Sequence, residues 1–294
     1  MSSQKSALCV GKVKKVDAIL TSDWHLTTRT PVCRTDNYLN TQLDKLDEIA
    51  DLASEHNCYV IVAGDIFDRW NCDWRIIRYW YEFCQNNKTI WCAGQHDLQD
   101  NNADNLDTSP IMAGKVTAWD CVDICHWGRV PSEEKNILAW HVPVYHKENP
   151  YHAEVSTAKA LLKKYPQYRL ILTGDNHQTF VVEHNGALLV NTGSLLRSSA
   201  AQINHKPCVF LYDFDNNAVE PYFLDIDEDA VTDNHLVTKK FKEDVSSKVS
   251  KFCDKMSSAD YKIDFHANLK KYMETNDIDD AVVCEINKTM EKAK

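Results

Sequence analysis

No uninterrupted hydrophobic run in this chain approaches the roughly 20 residues a membrane-crossing helix needs. The first residues, MSSQKSALCVGKVKKV, carry lysines but neither an apolar stretch nor a clear cleavage site, so no secretion signal is expected. Cysteine occurs eleven times, yet no C-x-x-C pair is present. Cys121 and Cys125 are the nearest two, and no second half of a zinc knuckle follows them. An odd, scattered set of thiols, several inside apolar runs (Cys58, Cys92, Cys208), behaves as small hydrophobes in a reducing setting. A cytoplasmic location is therefore expected. Basic excess is lacking too, and a formal net charge of −10 argues against a general nucleic-acid coating protein. It does not argue against an enzyme of phosphodiesters. Carboxylates that hold divalent metals count as negative in a sequence tally, and bound cations reverse the local sign.

What is present is a globular composition, 44% hydrophobic and 26% charged over 294 residues, enough for one large α/β domain with an appendage. Five apolar, β-branched or aromatic runs stand out: VDAILTSDWH (16–25), CYVIVAGDIFD (58–68), KTIWCAGQHD (88–97), KNILAWHVP (135–143) and YRLILTGDNH (168–177). Between the first two, Leu39, Leu43, Leu46, Ile49 and Leu52 recur at helical spacing within 37–57. Amphipathic helices are also expected over 73–87 and 153–165. Strand and helix alternate with short connections, which is the α/β pattern. From about residue 179 the texture changes to hairpins, one turning at His184-Asn185-Gly186 and one around Asp215-Asn216-Asn217. Antiparallel strands gained late point to two packed mixed sheets with helices outside. Beyond residue 228, three lysine- and acid-rich segments read as helical, with Phe241, Val245, Val249, Phe252 and Met256 forming one stripe. The expected division is a domain over 1–227 and a helical extension over 228–294, the latter docking on the domain or on a partner.

Every one of the five runs ends in Asp, His or both. Ligands of open α/β sheets gather beyond the carboxyl ends of strands, so these groups would pool at one rim. The pool is Asp23, His25, Asp65, Asp68, Gln95, His96, Asp97, His141, Asp175 and His177. Crowded carboxylates repel one another, so either some are protonated or cations neutralise them. Mixed Asp/His sets suit borderline divalent ions, and more than six donors exceed what one tetrahedral ion takes.

The ordered motifs D-x-H (Asp23 to His25), G-D-x-x-D (Gly64 to Asp68), G-x-H-D (Gly94 to Asp97), His141 before Val-Pro, and G-x-x-H (Gly174 to His177) resemble those of the calcineurin-like metallophosphoesterase family. The likeness covers roughly residues 16–225 and implies a β-sandwich of two mixed sheets flanked by helices. Within the family, GDIFD and NTGSLLRSS (191–199) are similar to segments of the Mre11/SbcD-type DNA nucleases. The resemblance implies that Asp23, His25 and His177 hold one metal, Asp65 bridges, and Gln95, His141 and Asp175 hold the second. It implies His96 as proton donor to the leaving group, with Asp68 orienting its ring; Arg197, an arginine able to grip phosphate, is expected on the substrate. Two divalent ions follow as cofactors, Mn²⁺ first, then Mg²⁺, Fe²⁺ or Zn²⁺. The partners expected are DNA, an SbcC/Rad50-like ATPase docked through the tail, and a second copy of the chain, with no membrane. The implied activity is exo- or endodeoxyribonuclease, of the kind used in DNA repair, recombination and replication.

Two residues depart from the family pattern, which has Asn where this chain has Gln95 and His where it has Asp175. Gln presents the same amide oxygen on a stem one methylene longer. Asp175 brings a negative charge and a hard oxygen, which favours Mn²⁺ or Mg²⁺ over Zn²⁺ at that site. Both changes fall on one metal, and compensation is the expected outcome. The alternatives are a hydrolase of small phosphoesters or phosphoproteins and a non-catalytic scaffold that binds DNA ends or a partner. Bland roles are expected elsewhere: Asp36, Asp73 and Asp104 as helix caps, Asp97 as cap or local acceptor, and His126, His146, His152, His184 and His205 as surface or turn residues. Trp24, Trp70 and Trp74 either stack on a base or pack, and Arg29 and Arg34 either grip phosphate or face solvent.

Overall fold

The computed structural model describes residues 7–131, 135–147, 155–236, 245–251 and 265–292. It divides into two units, residues 1–231 and 232–294. In the first, the five apolar runs become β1 (Ala18–Thr21), β2 (Tyr59–Ala63), β3 (Lys88–Cys92), β5 (Ile137–His141) and β6 (Leu170–Gly174). The two late hairpins become β7 (Phe180–His184) with β8 (Ala187–Asn191), and β9 (Cys208–Asp213) with β10 (Ala218–Phe223). One further strand, β4 (Val122–Cys125), pairs in parallel with β5 and had no sequence signal of its own beyond four residues of mixed character.

The strands form two five-stranded sheets, ordered β10-β9-β1-β2-β3 and β4-β5-β6-β8-β7. Each is mixed: β1, β2 and β3 run parallel beside the antiparallel β9 and β10, while β4, β5, β6 and β8 run parallel with β7 antiparallel at the edge. Alternation of side chains across each strand decides what packs where. Ala18, Leu20, Ile61, Ala63 and Ile90 face Ile137, Ala139, Leu170, Leu172 and Val190 of the other sheet, forming the inner core. Ile19, Val60, Val62 and Trp91 turn outward onto helices α1 (Tyr38–His56) and α2 (Trp74–Asn86). Leu138, Ile171 and Leu189 turn outward onto α3 (Ala158–Lys164). A fully buried aliphatic side chain contributes about 1.5–3 kcal/mol, and a one-residue slip would exchange the two faces, so register is firmly set.

Local chemistry places the helix ends. Asn37 caps α1 by accepting the Asn40 N–H at 3.3 Å, and Asn57 closes it in the left-handed region at φ 48°. Asp36, expected as that cap, instead pairs with Arg34 at 2.5 Å and accepts the Thr41 hydroxyl. Asp73 caps α2 as expected, accepting the Arg75 N–H at 3.0 Å. Asn102, rather than Asp104, caps the 3₁₀ turn Ala103–Thr108, and Asp104 pairs with Arg129. Helix α3 is shorter than the expected 153–165, because Thr157 is extended, bridges to Tyr145 and caps at Ala160 N. Residues 153 and 154, like His152, lie outside those described.

The second unit contains α4 (Phe265–Thr275) and α5 (Asp280–Lys292), which bury Leu269 against Val282 and Ile286. Of the stripe expected here, Phe241, Phe252 and Met256 lie outside the described residues. No helix among the described residues is long and apolar enough to cross a membrane.

Candidate metal centre

Parallel strands end together, and the residues that follow them turn inward. Asp23 and His25 follow β1, Asp65 follows β2, Gln95 and His96 follow β3, His141 ends β5, and Asp175 and His177 follow β6. Four of these residues adopt positive φ, at 52° (Asp23), 46° (His25), 50° (Asp65) and 76° (Asp175). Such a conformation costs a non-glycine residue on the order of 1 kcal/mol or more and persists only where its surroundings hold it. Here they do: Asp23 N–H donates to the Gly64 carbonyl at 3.0 Å, His25 N–H to the Asp65 carbonyl at 2.9 Å, and Asp175 N–H to Asp23 Oδ1 at 2.9 Å. Two glycines admit the close approach. A Cβ on Gly94 would lie 2.1 Å from Asp65 Oδ1, and one on Gly174 would lie 2.2 Å from the Ala63 carbonyl and 2.6 Å from His141 Nδ1.

Asp65 sits at the middle of the cluster. Its Oδ2 lies 3.4 Å from His141 Nε2, 3.7 Å from His25 Nε2 and 4.0 Å from His96 Nε2, while Oδ1 accepts the His96 N–H at 2.9 Å. On one side, Asp23, His25 and His177 converge, with His25 Nε2 3.1 Å from His177 Nε2 and both within 4.0 Å of Asp23 Oδ1. On the other side, His141 Nε2 is 4.0 Å from Asp175 Oδ1, and Gln95 Nε2 donates to that same carboxylate.

Whether divalent ions fit is tested by the atoms left without partners. Two buried ones stand here, Gln95 Oε1 and His141 Nε2. A buried unpaired acceptor costs about 1–3 kcal/mol, so two in one cluster call for a ligand. His141 meets the Ala63 carbonyl through Nδ1 at 2.7 Å, which puts a proton on Nδ1 and turns Nε2 to the cluster, 3.4 Å from Asp65 Oδ2, where the neutral ring would offer its lone pair to a cation. Gln95 turns its nitrogen to Asp175 and its oxygen inward. These are donors arranged for cations, and the residues fit the group.

Without cations, the cluster's charges are forced into compromise. Burial pushes the His25 imidazole down to about 3, and it lowers His177 as well. Burial raises Asp23 above the usual carboxylate range, reinforced by the Asp65 charge. Burial opposes charge on His141 also, but the Asp65 and Asp23 carboxylates outweigh it and push that imidazole up to about 10. In Asp65, burial is overcome by the His141, His25 and His96 imidazoles, which hold the carboxyl low.

The remaining expected residues divide into those at the centre and those elsewhere. His96 is 42% exposed in its side chain and stands over the cluster. Its Nδ1 lies 2.7 Å from the backbone carbonyl of Asp68, so Asp68 orients the ring through its main chain and not its carboxylate. His25, Asp68, His96, His177, Arg29, Tyr38 and Ser198 share a cleft of about 330 Å³. Arg197 does not line it. Its buried guanidinium donates to the carbonyls of Ile203 and Asp227, a use in holding the fold that departs from the expected phosphate contact. Arg34 is likewise taken by Asp36, whereas Arg29 forms part of the cleft wall. Trp24 packs on Trp80 and Phe83, while Trp74 is 65% exposed at the start of α2. Asp97 accepts the N–H groups of Phe67 and Gly94 at 2.9 Å, tying the β2 and β3 loops together. His126 is less of a surface residue than its place in the sequence implied, since its Nδ1 accepts the Ala93 N–H at 2.9 Å. Tyr38 and Ser198 were not anticipated in the cleft, and no local signal marks them.

A family model described as calcineurin-like phosphoesterase matches residues 18–179. Among solved structures, the chain is similar to an archaeal phosphodiesterase (14% identity, covering 70% of this chain and 99% of that one, TM-score 0.39). It is similar also to the protein TT1561 of Thermus thermophilus (15%, 71% and 99%, TM-score 0.42). A putative 5′-nucleotidase from Staphylococcus aureus gives 11% identity over 77% of this chain and 58% of that one, with TM-score 0.45. No curated protein matches the chain.

Proposed function

We propose, from the premise that this chain belongs to the calcineurin-like phosphoesterase family, that its strand-end cluster is a two-ion phosphodiesterase centre acting on DNA. The observation that carries the reading is the pair of buried donor atoms without partners, Gln95 Oε1 and His141 Nε2, beside a carboxylate that faces three imidazoles. Asp23, His25 and His177 would hold one ion, Gln95, His141 and Asp175 the other, and Asp65 both. When bound, two divalent ions supply a nucleophilic water at neutral pH and neutralise charge on the phosphate oxygens.

The chain's own residues do the rest. With its Nδ1 proton given to the Asp68 carbonyl, His96 carries a proton on Nε2 only as imidazolium, and in that form it donates to the departing oxygen. Arg29, on the cleft wall, is placed to pair with a phosphate oxygen. The choice of DNA rests on the likeness of segment 191–199 to a nuclease segment; here that segment braces Asp23 and His177 through Leu195 N–H and Ser194 N–H and brings Ser198 into the cleft. The reading extends to an SbcC/Rad50-like ATPase bound at the second unit, where α4 and α5 leave a groove of about 500 Å³ whose lining is half apolar (Ala267, Met273, Val283, Met290) and half polar (His266, Lys270, Glu274, Asn287).

The test is a digestion panel with chelator-stripped protein resupplied with Mn²⁺: single-stranded DNA, duplex DNA, a mononucleotide ester and a cyclic nucleotide. DNA cleavage outpacing the small esters is the expected result. Faster turnover of the mononucleotide with DNA intact would replace the nuclease reading with a small-phosphoester hydrolase. No turnover, with fewer than one Mn²⁺ per chain at saturation, would leave a scaffold.

A further inference from the structure

Asn191 ends β8 with its side chain fully buried and each polar atom engaged. Its Oδ1 accepts the Thr173 hydroxyl at 2.9 Å, across the β6–β8 register that sets these two residues opposite each other. Its Nδ2 donates twice, to the carbonyls of Asn176 at 2.5 Å and Gln178 at 2.7 Å. Those carbonyls flank His177. An amide anchored at one end by a strand and gripping the chain on both sides of a single residue fixes where that residue's side chain begins.

The four residues that follow continue the pattern. Thr192 Oγ1 meets Ser22 Oγ at 2.8 Å, and Ser22 donates to Asp23 Oδ2 at 2.5 Å. Ser194 N–H donates to the His177 carbonyl at 3.3 Å and Leu195 N–H to the Asp23 carbonyl at 3.2 Å. Among the described residues, no hydrogen bond from 191–195 reaches Gln95, His141 or Asp175. Asp175 is held by Asp23 Oδ1 on its N–H and by Gln95 on its carboxylate, and Asn176, whose carbonyl Asn191 grips, is held also by its own Nδ2 on the Val144 carbonyl at 2.7 Å.

We infer that Asn191 is a positioning residue for one ion only, the one held by Asp23, His25 and His177, and that it acts by clamping the backbone on both sides of His177. The inference rests on the two-ion reading above. It distinguishes the half whose ligand His177 is clamped from the β8 exit from the half whose ligands receive no hydrogen bond from 191–195, the two meeting where Asp23 Oδ1 accepts the Asp175 N–H, so the halves respond differently to the same substitution.

Calorimetric titration of the stripped full chain with Mn²⁺ alone tests this, alongside thermal unfolding of the metal-free protein. Wild type should show two sites. Asn191→Leu, which keeps bulk but removes both donors, should weaken one site at least tenfold and leave the other within twofold. His177→Ala should weaken the same site, and adding Asn191→Leu to it should cause no further change at the remaining one. Thr173→Val keeps both donors and frees the amide to turn, so a loss of about threefold at that same site is expected, and this variant decides the matter if Asn191→Leu does not fold. Unchanged affinities at both sites, or equal weakening of both, would overturn the inference. A wild type that binds two ions while the variants match it overturns this inference alone, whereas a wild type that takes up no Mn²⁺ overturns the two-ion reading and this with it.

Discussion

Gln95 and Asp175 touch: the amide nitrogen of one donates to the carboxylate of the other across the rim of the two sheets. These are the two positions at which the sequence departs from the family pattern, and they form one contact. The longer stem of Gln95 lets its nitrogen reach Asp175 while its oxygen stays buried and unpartnered. Substitution of either partner alone would leave the other without its match.

Asp175→His should therefore move metal preference without abolishing binding. Replacing a hard anionic oxygen by a neutral imidazole favours Zn²⁺ over Mn²⁺. The Mn²⁺/Zn²⁺ activity ratio is expected to fall roughly tenfold, equivalent to about 1.4 kcal/mol of relative preference. Gln95→Asn in the same background should recover part of the lost rate by shortening the stem. Equal ratios in wild type and variant would remove Asp175 from the coordination set.

His96 reaches over the cluster from outside the ligand set, with its ring fixed by the Asp68 carbonyl at 2.7 Å. His96→Ala should keep the fold and the full complement of Mn²⁺ and lower kcat by about 10²–10⁴-fold. Asp68→Asn should change the rate far less, because the orienting atom belongs to the backbone. Wild-type turnover by His96→Ala would show that the proton comes from another group.

Gly94 offers a test of how the frame supports the centre. A methyl group there would meet Asp65 Oδ1 at 2.1 Å and the Asp65 nitrogen at 2.4 Å, and backbone gives way at a price of about 1–3 kcal/mol. Gly94→Ala should unfold at lower temperature and should also lose the stabilisation that Mn²⁺ gives wild type, since an ion that binds only the native state raises the midpoint. Thermal scans with and without Mn²⁺ report both effects. A variant that gains as much from Mn²⁺ as wild type does would separate Gly94 from the placement of Asp65.

Much of this architecture is legible in the amino-acid sequence, for an identifiable reason. An apolar β-branched run that ends in Asp or His marks where a strand stops, and five such ends in one α/β chain share a rim. Asp23, Asp65 and His141 could be placed on that ground. β4 was not legible, because four residues feeding no polar group into the site carry little signal. Arg197 misled for a related reason: a cation in a phosphate-binding context and a cation buried to satisfy two carbonyls look the same in sequence. Asn191 was hidden by its ordinariness, since an Asn at the end of a strand is indistinguishable from a turn residue until the carbonyls it grips are located.

Away from the centre, Asp213 ends β9 and gathers the segment that leads into β1. Its carboxylate accepts N–H groups from Lys14 at 2.9 Å, Lys15 at 3.3 Å and Asn216 at 3.0 Å, and the Asn216 amide at 2.8 Å. Burial alone would raise its pKa, but these donors outweigh it and hold the group at about 2. A carboxyl depressed on folding stabilises in full above its unfolded value of about 3.9, and that contribution is lost as pH falls through the folded value. Asp213→Asn puts an amide against donors it cannot all accept, and should cost on the order of 2 kcal/mol at pH 7. The gap between wild type and variant should narrow from about pH 4 downward and close near pH 2, as urea unfolding across that range would measure. A gap constant from pH 7 to pH 2 would mean that the loop holds its shape without the charge.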